Sequence, residues 1–360
     1  MQYRQLGNTG LMVSSLTVGT MTWGGVDIFS HIGSVDIQEA RLQLDMAMDR
    51  GVNMVDTSNI YSFGKSEEIL GQALAGRRDR MIIATKVRAP MGTGPNDVGL
   101  SRHHIIEACD ASLKRLGTDY IDLYQLHGWD GITPVEESLR ALDDLQRAGK
   151  IRYAGVSNFS GWHIMKMLAA ADANNLIRPA AHQIYYSLQC RDAEFELLPV
   201  AVDQGVATLV WSPLAGGLLS GKYRRGRPEP EGTRVANWKI PPVPDREVLY
   251  DIVEAIVAIA EQRGVPPAHV ALAWLLTRPG ITSVIVGART TAQLDENLLA
   301  ADLKLSDLEI AQLEKVSRPP LPYPYWQQKF MSADRLSPAD YAALGPHMAD
   351  DEVNPTRPVR

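Results

Sequence analysis

The sequence has few cysteines and no long uninterrupted apolar segment. Only Cys109 and Cys190 occur among its 360 residues, which argues against a disulfide framework and favours a reducing, cytoplasmic location. No apolar run approaches the roughly 18 residues of a transmembrane helix. The N-terminal residues MQYRQLGNTGLMVSS lack the positive region and apolar core of a secretory signal. We therefore expect no membrane partner.

The sequence also lacks an excess of positive charge and any metal-binding motif. Its 36 Lys and Arg against 42 Asp and Glu give a formal net charge of -6. Nucleic acids and anionic membranes require a basic surface, so we expect neither as a partner. No His-Glu-x-x-His spacing occurs, and the adjacent His103 and His104 would point to different sides of a helix. We expect no metal.

Both common nucleotide motifs are absent or incomplete. The sequence GTGPND at 92–97 lacks the third glycine of a dinucleotide-binding fingerprint. The sequence GGLLSGKY, from Gly216 to Tyr223, resembles a P-loop, but Tyr223 replaces the Ser or Thr that should bind Mg²⁺. This argues against an NTPase. The alternative interpretation is that this glycine-rich, Lys-bearing segment runs along a bound pyrophosphate.

Apolar strand-like segments alternate with longer amphipathic segments. The chain length fits either one large α/β barrel or two medium domains. Eight strand–helix units without a linker favour a closed (β/α)8 TIM barrel over 1–316, with an N-terminal hairpin around 8–10. The predicted strands cover 16–19, 53–57, 81–87, 121–127, 153–158, 181–185, 207–213 and 282–288. The predicted helices cover 38–50, 104–116, 134–148, 160–175, 192–204, 246–263, 268–278 and 291–300.

Two segments interrupt this alternation. Residues 215–245 are rich in Gly, Pro and Arg and predict a long loop after strand seven, a candidate active-site cover. The tail at 317–360 is rich in Pro and aromatic residues. We expect it to be irregular, with a disordered last ten residues, and to be a candidate part of the substrate pocket.

Ionisable side chains lie at the ends of three successive predicted strands. Asp56 ends the second strand with Tyr61 in the following loop, Lys86 lies near the end of the third, and His127 ends the fourth. The active sites of such barrels lie at these strand ends. A nearby ammonium lowers the pKa of a phenol, an aspartate can hold the lysine, and a histidine can orient a substrate oxygen. Taken singly each is more often structural; together they favour general acid catalysis.

Several other residues suit a dinucleotide. Gly287 and Arg289 precede a predicted helix start near Thr291, where backbone N–H groups and a guanidinium would face a phosphate. The alternative is an ordinary turn with a solvated arginine. The amide and hydroxyl groups at strands five and six suit a carboxamide, and a strand-seven tryptophan could stack on a flat ring or belong to the core. These residues are Ser157, Asn158, Gln183 and Trp211.

Six motifs follow one another along the chain: DTSNIYSFGKSEEILGQAL, IIATKV, DLYQLHGWD, GVSNFS, WSPLAGGLLSGKY and VIVGARTTAQLDENL. In these motifs, their order and their spacing, the chain resembles the aldo-keto reductase superfamily. The resemblance covers about residues 3–316 and is strongest to bacterial members related to potassium-channel β subunits. It implies NADPH or NADP⁺, preferred over NADH and bound without a Rossmann domain. It also implies Tyr61 as proton donor, Asp56 and Lys86 as its partners, and His127 as the substrate-orienting donor.

The resemblance further implies contacts along the whole cofactor. Gly19, Thr20 and Met21 would lie under the nicotinamide ribose, and Asp56 is a further expected cofactor contact. Ser157, Asn158 and Gln183 would hold the carboxamide, with Trp211 stacked on the ring. The pyrophosphate segment would comprise Ser212, Pro213, Leu214, Gly216, Leu218 and Lys222. The 2′-phosphate and adenine end would comprise Gly287, Arg289, Thr290, Gln293, Glu296 and Asn297.

The resulting hypothesis is an NADPH-dependent reductase of an aldehyde or ketone, acting on a small-molecule carbonyl substrate. Trp23 and Trp129 follow strands one and four and are candidate pocket walls, with plain packing as the alternative. An aromatic or otherwise bulky substrate is favoured. Two other functions stay open: an NADPH-binding regulatory module resembling channel β subunits, and a sugar or alcohol dehydrogenase working oxidatively. Substrate identity and oligomeric state also stay open.

Overall fold

Eight parallel strands close into a barrel, surrounded by helices. The computed structural model describes residues 1–228, 230 and 242–348. The barrel order is β10-β3-β4-β5-β6-β7-β8-β9, and β1 and β2 form a separate antiparallel hairpin. This confirms the (β/α)8 barrel and its N-terminal hairpin. The strands are β1 Tyr3–Gln5, β2 Met12–Ser14, β3 Leu16–Gly19, β4 Met54–Asp56, β5 Ile82–Val87, β6 Ile121–Leu126, β7 Ile151–Ser157, β8 Ala181–Tyr185, β9 Ala207–Trp211 and β10 Ile281–Val286.

The helices mostly follow the predicted positions. The helices Lys65–Ala73 and Asp307–Ser317 were not predicted, whereas the helices predicted at 246–263 and 268–278 are both present. The helices are α1 Ile37–Asp49, α2 Lys65–Ala73, α3 Arg102–Leu116, α4 Val135–Arg147, α5 Gly161–Asn174, α6 Leu197–Gln204, α7 Arg246–Arg263, α8 Pro267–Thr277, α9 Thr291–Leu299, α10 Asp307–Ser317, α11 Tyr325–Ser332 and α12 Pro338–Leu344.

The prediction of an irregular tail was wrong. Residues beyond 317 form α11 and α12, and α12 begins with a capping box between Ser337 and Asp340. Its buried Leu344 and neighbouring alanines pack against α6. The burial of this short apolar face therefore stabilises a helix in a segment whose proline content predicted irregular structure. The last ten residues and most of the stretch 229–241 lie outside the described residues.

The hairpin closes one end of the barrel. Leu6 and Val13 are fully buried and join the apolar cluster inside the barrel. The Asn8 N–H donates to the Gly205 carbonyl at 2.8 Å, which ties the turn to the segment before β9. Because this end is closed at the strand starts, a ligand must enter from the opposite end. Among the described residues no helix is long and apolar enough to cross a membrane.

The barrel interior changes from apolar to polar along the strands. Because side chains alternate between faces, residues two apart point the same way. One inner layer is apolar and contains Met54, Ala84, Leu123, Ala181 and Leu209. Two positions later on the same five strands the residues are Asp56, Lys86, Gln125, Gln183 and Trp211. A polar layer therefore lies directly above an apolar floor, towards the open end.

Candidate active site

The loop after β4 places Tyr61 at the open end of the barrel. Tyr61 begins a short 3-10 segment, and its N–H donates to the Ser58 carbonyl at 3.1 Å. The next two residues, Ser62 and Phe63, have φ values of +48° and +52°. Left-handed non-glycine residues are costly and often mark functional sites. The Ser62 hydroxyl donates to the Trp23 carbonyl at 3.0 Å, which holds the loop in this conformation.

Asp56, Lys86 and Tyr61 meet in the polar layer. Lys86 Nζ lies 2.6 Å from Asp56 Oδ1 and 2.8 Å from the Thr57 carbonyl oxygen. It also lies 3.4 Å from the Tyr61 hydroxyl oxygen. Burial by itself would lower the pKa of Lys86, but the charges on Asp56 and Tyr61 outweigh it and the pKa is raised. The lysine is therefore a permanent cation beside the phenol.

Two glutamine side chains bind the second oxygen of Asp56. Gln183 Nε2 donates to Asp56 Oδ2 at 2.7 Å, and Gln125 Nε2 donates at 3.3 Å. All three side chains are buried. These bonds orient the carboxylate towards Lys86. Gln183, which was predicted to hold a carboxamide, therefore already donates a hydrogen bond from its amide group to Asp56.

His127 lies beside the phenol as a neutral imidazole. Its ring centroid lies 6.0 Å from that of Tyr61, with the two planes at 77°. Nδ1 lies 3.1 Å from the Ser58 hydroxyl oxygen. Burial, followed by the positive charges of Lys86 and Arg88, holds the pKa of His127 well below its ordinary value. The structure thus brings all four predicted catalytic residues into one patch.

The residues predicted to hold the nicotinamide lie next to this patch. Ser157 is buried, and Asn158 is exposed just beyond the end of β7. Asn158 Nδ2 donates to the His127 carbonyl at 3.1 Å, and Asn158 Oδ1 accepts from Trp211 Nε1 at 3.0 Å. Trp211 also packs against Tyr185, with ring centroids 5.0 Å apart. The indole is therefore fixed by hydrogen bonding and by aromatic contact.

The segment after β9 has an unusual backbone. Ser212 and Ala215 have φ values of +52° and +49°, and two glycines with positive φ follow them. The Ser212 hydroxyl accepts from the Gly216 N–H at 3.2 Å. The Ala215 N–H likewise donates to the Ser212 carbonyl at 2.8 Å, so these bonds fold the segment into a compact turn. Of the predicted pyrophosphate residues, Pro213 and Leu218 are buried, Leu214 is half-buried and Lys222 is exposed.

A cavity of about 360 Å³ lies where the 2′-phosphate is predicted, and Arg289 and Thr290 line it together with Ser34 and Glu39. Arg289 donates to two carbonyl oxygens of the loop after β3, that of Ile32 at 2.9 Å and that of His31 at 3.0 Å. Its main chain is also held, because the Arg289 N–H donates to Gln293 Oε1 at 3.0 Å. Thr290 caps α9, which carries the exposed Glu296 and half-buried Asn297.

The predicted ribose residues end β3. Gly19 pairs with Asp56 in the strand register, and the Thr20 N–H donates to the Asp56 carbonyl at 2.9 Å. The Thr20 and Ser66 hydroxyl oxygens lie 2.7 Å apart, so α2 anchors this turn. Met21 follows and is half-buried. These residues lie directly beside the catalytic patch.

The two predicted pocket tryptophans have different surroundings. Trp23 is fully buried in the outer core, where its Nε1 donates to Gln43 Oε1 of α1 at 3.2 Å. Trp23 therefore packs in the core, and the structure does not support its predicted role as a pocket wall. Trp129 is half-buried and stacks on His163, with ring centroids 4.0 Å apart and planes at 11°. Its role in the pocket stays a prediction.

Three site residues escaped the sequence analysis. Gln125 lies two positions before His127, so strand alternation could have placed it beside the catalytic residues. Ser58 lies in the quoted motif DTSN but carries no signal of its own. Arg88 lies two positions after Lys86, and its charge influences His127. Each of these residues belongs to the site because of a contact with a residue on another strand or loop.

Comparison with known proteins places the chain in a family. A model of the aldo/keto reductase family matches residues 15–318. The chain therefore belongs to the aldo/keto reductase family. Membership supports an oxidoreductase that acts on carbonyl compounds.

The similar proteins carry several kinds of name. The chain is 40% identical over 324 residues to the uncharacterized oxidoreductase YrpG of Bacillus subtilis, covering 87% of this chain and 94% of that protein. It is 38% identical over 337 residues to a probable voltage-gated potassium channel subunit beta of Arabidopsis thaliana, covering 90% and 100%. It is 35% identical over 335 residues to versiconal hemiacetal acetate reductase of Aspergillus parasiticus, covering 88% and 96%.

Proposed function

We propose that this protein is an NADPH-dependent reductase that converts an aldehyde or ketone to an alcohol. The observation that carries the proposal is the position of Lys86 Nζ, 2.6 Å from Asp56 Oδ1 and 3.4 Å from the Tyr61 hydroxyl oxygen. A fixed cation beside a phenol stabilises the phenolate that remains once the proton has left. Tyr61 is therefore the general acid that protonates the carbonyl oxygen.

His127 orients the carbonyl oxygen in this proposal. In the tautomer that accepts from the Ser58 hydroxyl at Nδ1, the ring proton of the neutral imidazole resides on Nε2. Nε2–H then donates to the same oxygen that Tyr61 protonates. The lowered pKa keeps His127 from competing as an acid, because it carries no second proton near neutral pH. In this arrangement Asp56 holds the lysine charge in place.

The chain offers suitable groups for a nicotinamide dinucleotide, which when bound supplies a hydride to the carbonyl carbon. Ser157 and Asn158 offer a hydroxyl and an amide, and Trp211 offers a flat indole face beside them. The turn after Ser212, with its two positive-φ glycines, would lie along the pyrophosphate. The Arg289 guanidinium beside the cavity suits a 2′-phosphate, which favours NADPH over NADH.

The C-terminal tail forms part of the substrate pocket in this proposal. A cleft of about 350 Å³ opens beside Asn158 and Tyr185 and extends to Glu196. The Tyr325 hydroxyl of α11 donates to Glu196 Oε1 at 3.2 Å, so the tail borders this cleft. We accordingly treat residues 1–316 as one barrel domain and 317–360 as its pocket-shaping extension.

The test compares Tyr61→Phe with wild type for NADPH oxidation over a panel of aldehydes and ketones. We expect a loss of about 100-fold or more in kcat, with NADPH affinity retained, because only the proton donor is removed. Tyr3→Phe is the matched control, since Tyr3 donates to the Gly51 carbonyl near the closed end of the barrel. Unchanged turnover in Tyr61→Phe would contradict the role of Tyr61.

A regulatory function is the second candidate, favoured by the likeness to the protein named as a channel β subunit. It predicts that wild type binds NADPH but turns over every carbonyl slowly. Fast turnover with any substrate of the panel would exclude it as the main function. The oxidative direction is tested in the same assay with NADP⁺ and the corresponding alcohols.

A further inference from the structure

We infer that Arg88 binds a carboxylate on the substrate, so that the enzyme selects carbonyl compounds bearing a negative charge. The inference rests on the proposed function and specifies its substrate class.

Arg88 lies beside the substrate-orienting histidine. It follows directly on β5, and the carbonyl of the preceding Val87 accepts from the His127 N–H at 2.8 Å. A Cβ placed on Gly128 would lie 4.0 Å from the Arg88 Cδ atom. The arginine side chain therefore runs alongside the His127–Gly128 segment. The influence of its charge on the pKa of His127 agrees with this placement.

The Arg88 guanidinium has no counter-charge in the described part of the chain. Within residues 1–228, 230 and 242–348 it makes no hydrogen bond or ion pair, although the side chain is half-buried. The acidic residues of the two adjoining loops are used elsewhere. Asp130 Oδ2 accepts from the Leu100 N–H at 2.8 Å, and Asp97 Oδ2 accepts from the Gly94 N–H at 2.7 Å. A half-buried guanidinium with its donors uncommitted is suited to bind an external anion.

The backbone at Arg88 is held in a conformation that a side-chain-bearing residue rarely adopts. Its φ is +151°, and its carbonyl accepts from the Gly99 N–H at 2.9 Å. Glycine would adopt this conformation more easily, yet the chain has arginine here. Strain of this kind is retained where the side chain has a function.

The position in the barrel identifies the anion as part of the substrate. In the closed order of eight strands, β5 lies four places from β9 in either direction. The proposed pyrophosphate segment follows β9, and Arg289 follows β10, the strand next to it. Arg88 is therefore on the opposite side of the barrel mouth from the phosphate-binding residues. A carboxylate attached to the substrate carbonyl compound is the anion that this position can meet.

The test uses 4-carboxybenzaldehyde and its neutral methyl ester, methyl 4-formylbenzoate, with NADPH. Wild type is compared with Arg88→Gln and Arg88→Lys. Arg80→Gln is the matched control, because Arg80 is an exposed arginine that precedes the same strand at the closed end of the barrel. We expect Arg88→Gln to lose about 10- to 100-fold in kcat/KM for the carboxylate, mainly through KM, and less than about 3-fold for the ester. Arg88→Lys should retain part of the preference.

Equal losses for the acid and the ester, or no loss in Arg88→Gln, would overturn the inference. A second measurement separates it from the proposed function. Binding of 4-methylbenzoate and 4-methylbenzamide is measured by calorimetry with the NADP⁺-saturated protein. If wild type reduces neither aldehyde yet binds the benzoate better than the amide, and Arg88→Gln loses this preference, the anion site stands and the reductase proposal fails. Equal binding of both ligands by wild type would overturn the anion site.

Discussion

Lys86 Nζ lies 2.6 Å from Asp56 Oδ1, and the two side chains are 0% and 3% exposed. The pair joins neighbouring strands of the barrel, since Asp56 pairs with Ala84 in the β4–β5 register. Both charges are removed from water, so each depends on the other and on the surrounding hydrogen bonds. The ion pair that places a positive charge beside Tyr61 therefore also affects the stability of the barrel.

Breaking this pair should destabilise the protein more than removing it. We expect Lys86→Met and Asp56→Asn each to lower the free energy of unfolding by about 3 kcal/mol, because each leaves a buried, uncompensated charge. The double variant should recover most of the loss. Urea unfolding of the three variants and wild type checks this. Additive losses in the double variant would show that the two charges are not coupled.

The buried His182 should make stability depend on pH. Burial lowers the pKa of His182 to about 3, and its Nε2 lies 2.7 Å from the Thr208 hydroxyl oxygen. Below the ordinary histidine pKa near 6.5, the unfolded chain takes up a proton that the folded chain does not. Stability therefore falls as pH falls from about 6.5 towards 3. Between pH 7 and 5 this residue should account for about 2 kcal/mol.

Urea midpoints of wild type and His182→Gln at pH 7 and pH 5 measure this contribution. We expect a smaller decrease between the two pH values in the variant. The control is His103→Gln, which removes a solvent-exposed imidazole. An identical decrease in wild type and His182→Gln would refute the assignment.

Arg289 should discriminate between the two nicotinamide cofactors. We expect Arg289→Ala to raise the Kd for NADPH about 10- to 100-fold and the Kd for NADH little, because only NADPH carries the 2′-phosphate. Equal losses for both cofactors would instead indicate that Arg289 acts by holding the carbonyls of His31 and Ile32. Arg50→Ala is the control, since Arg50 is engaged with Asp295 of α9. Fluorescence titration with each cofactor is the measurement.

The C-terminal tail should contribute to stability. Leu344 at the end of α12 is fully buried, whereas Leu308 of α10 is 84% exposed. We expect Leu344→Ala to lower the free energy of unfolding by about 2–5 kcal/mol, since it leaves a cavity. Leu308→Ala should change it by less than about 0.5 kcal/mol. If denaturant unfolding gives the same stability for both variants, α12 is not part of the cooperative fold.

Helix α2 shows how local sequence misleads. The segment KSEEILGQA contains Gly71, and the residue before it, Gly64, provides no side-chain cap. Glycine lowers helix propensity, and no helix was predicted for this segment. A Cβ at Gly71 would lie 2.5 Å from the Leu116 carbonyl oxygen of α3. Gly71 thus permits a close approach of two helices, which only the packed structure reveals.

The patterns in the chain determined the class of fold and the four residues at the strand ends. Alternating apolar and amphipathic segments specify a barrel, and a barrel brings strand ends together. Tertiary structure decided which neighbours these residues meet. Gln125 and Gln183 reach Asp56 from other strands, Trp23 turns into the core, and Arg88 comes to lie beside His127. Such contacts depend on strand register and burial, which act between segments distant in the chain.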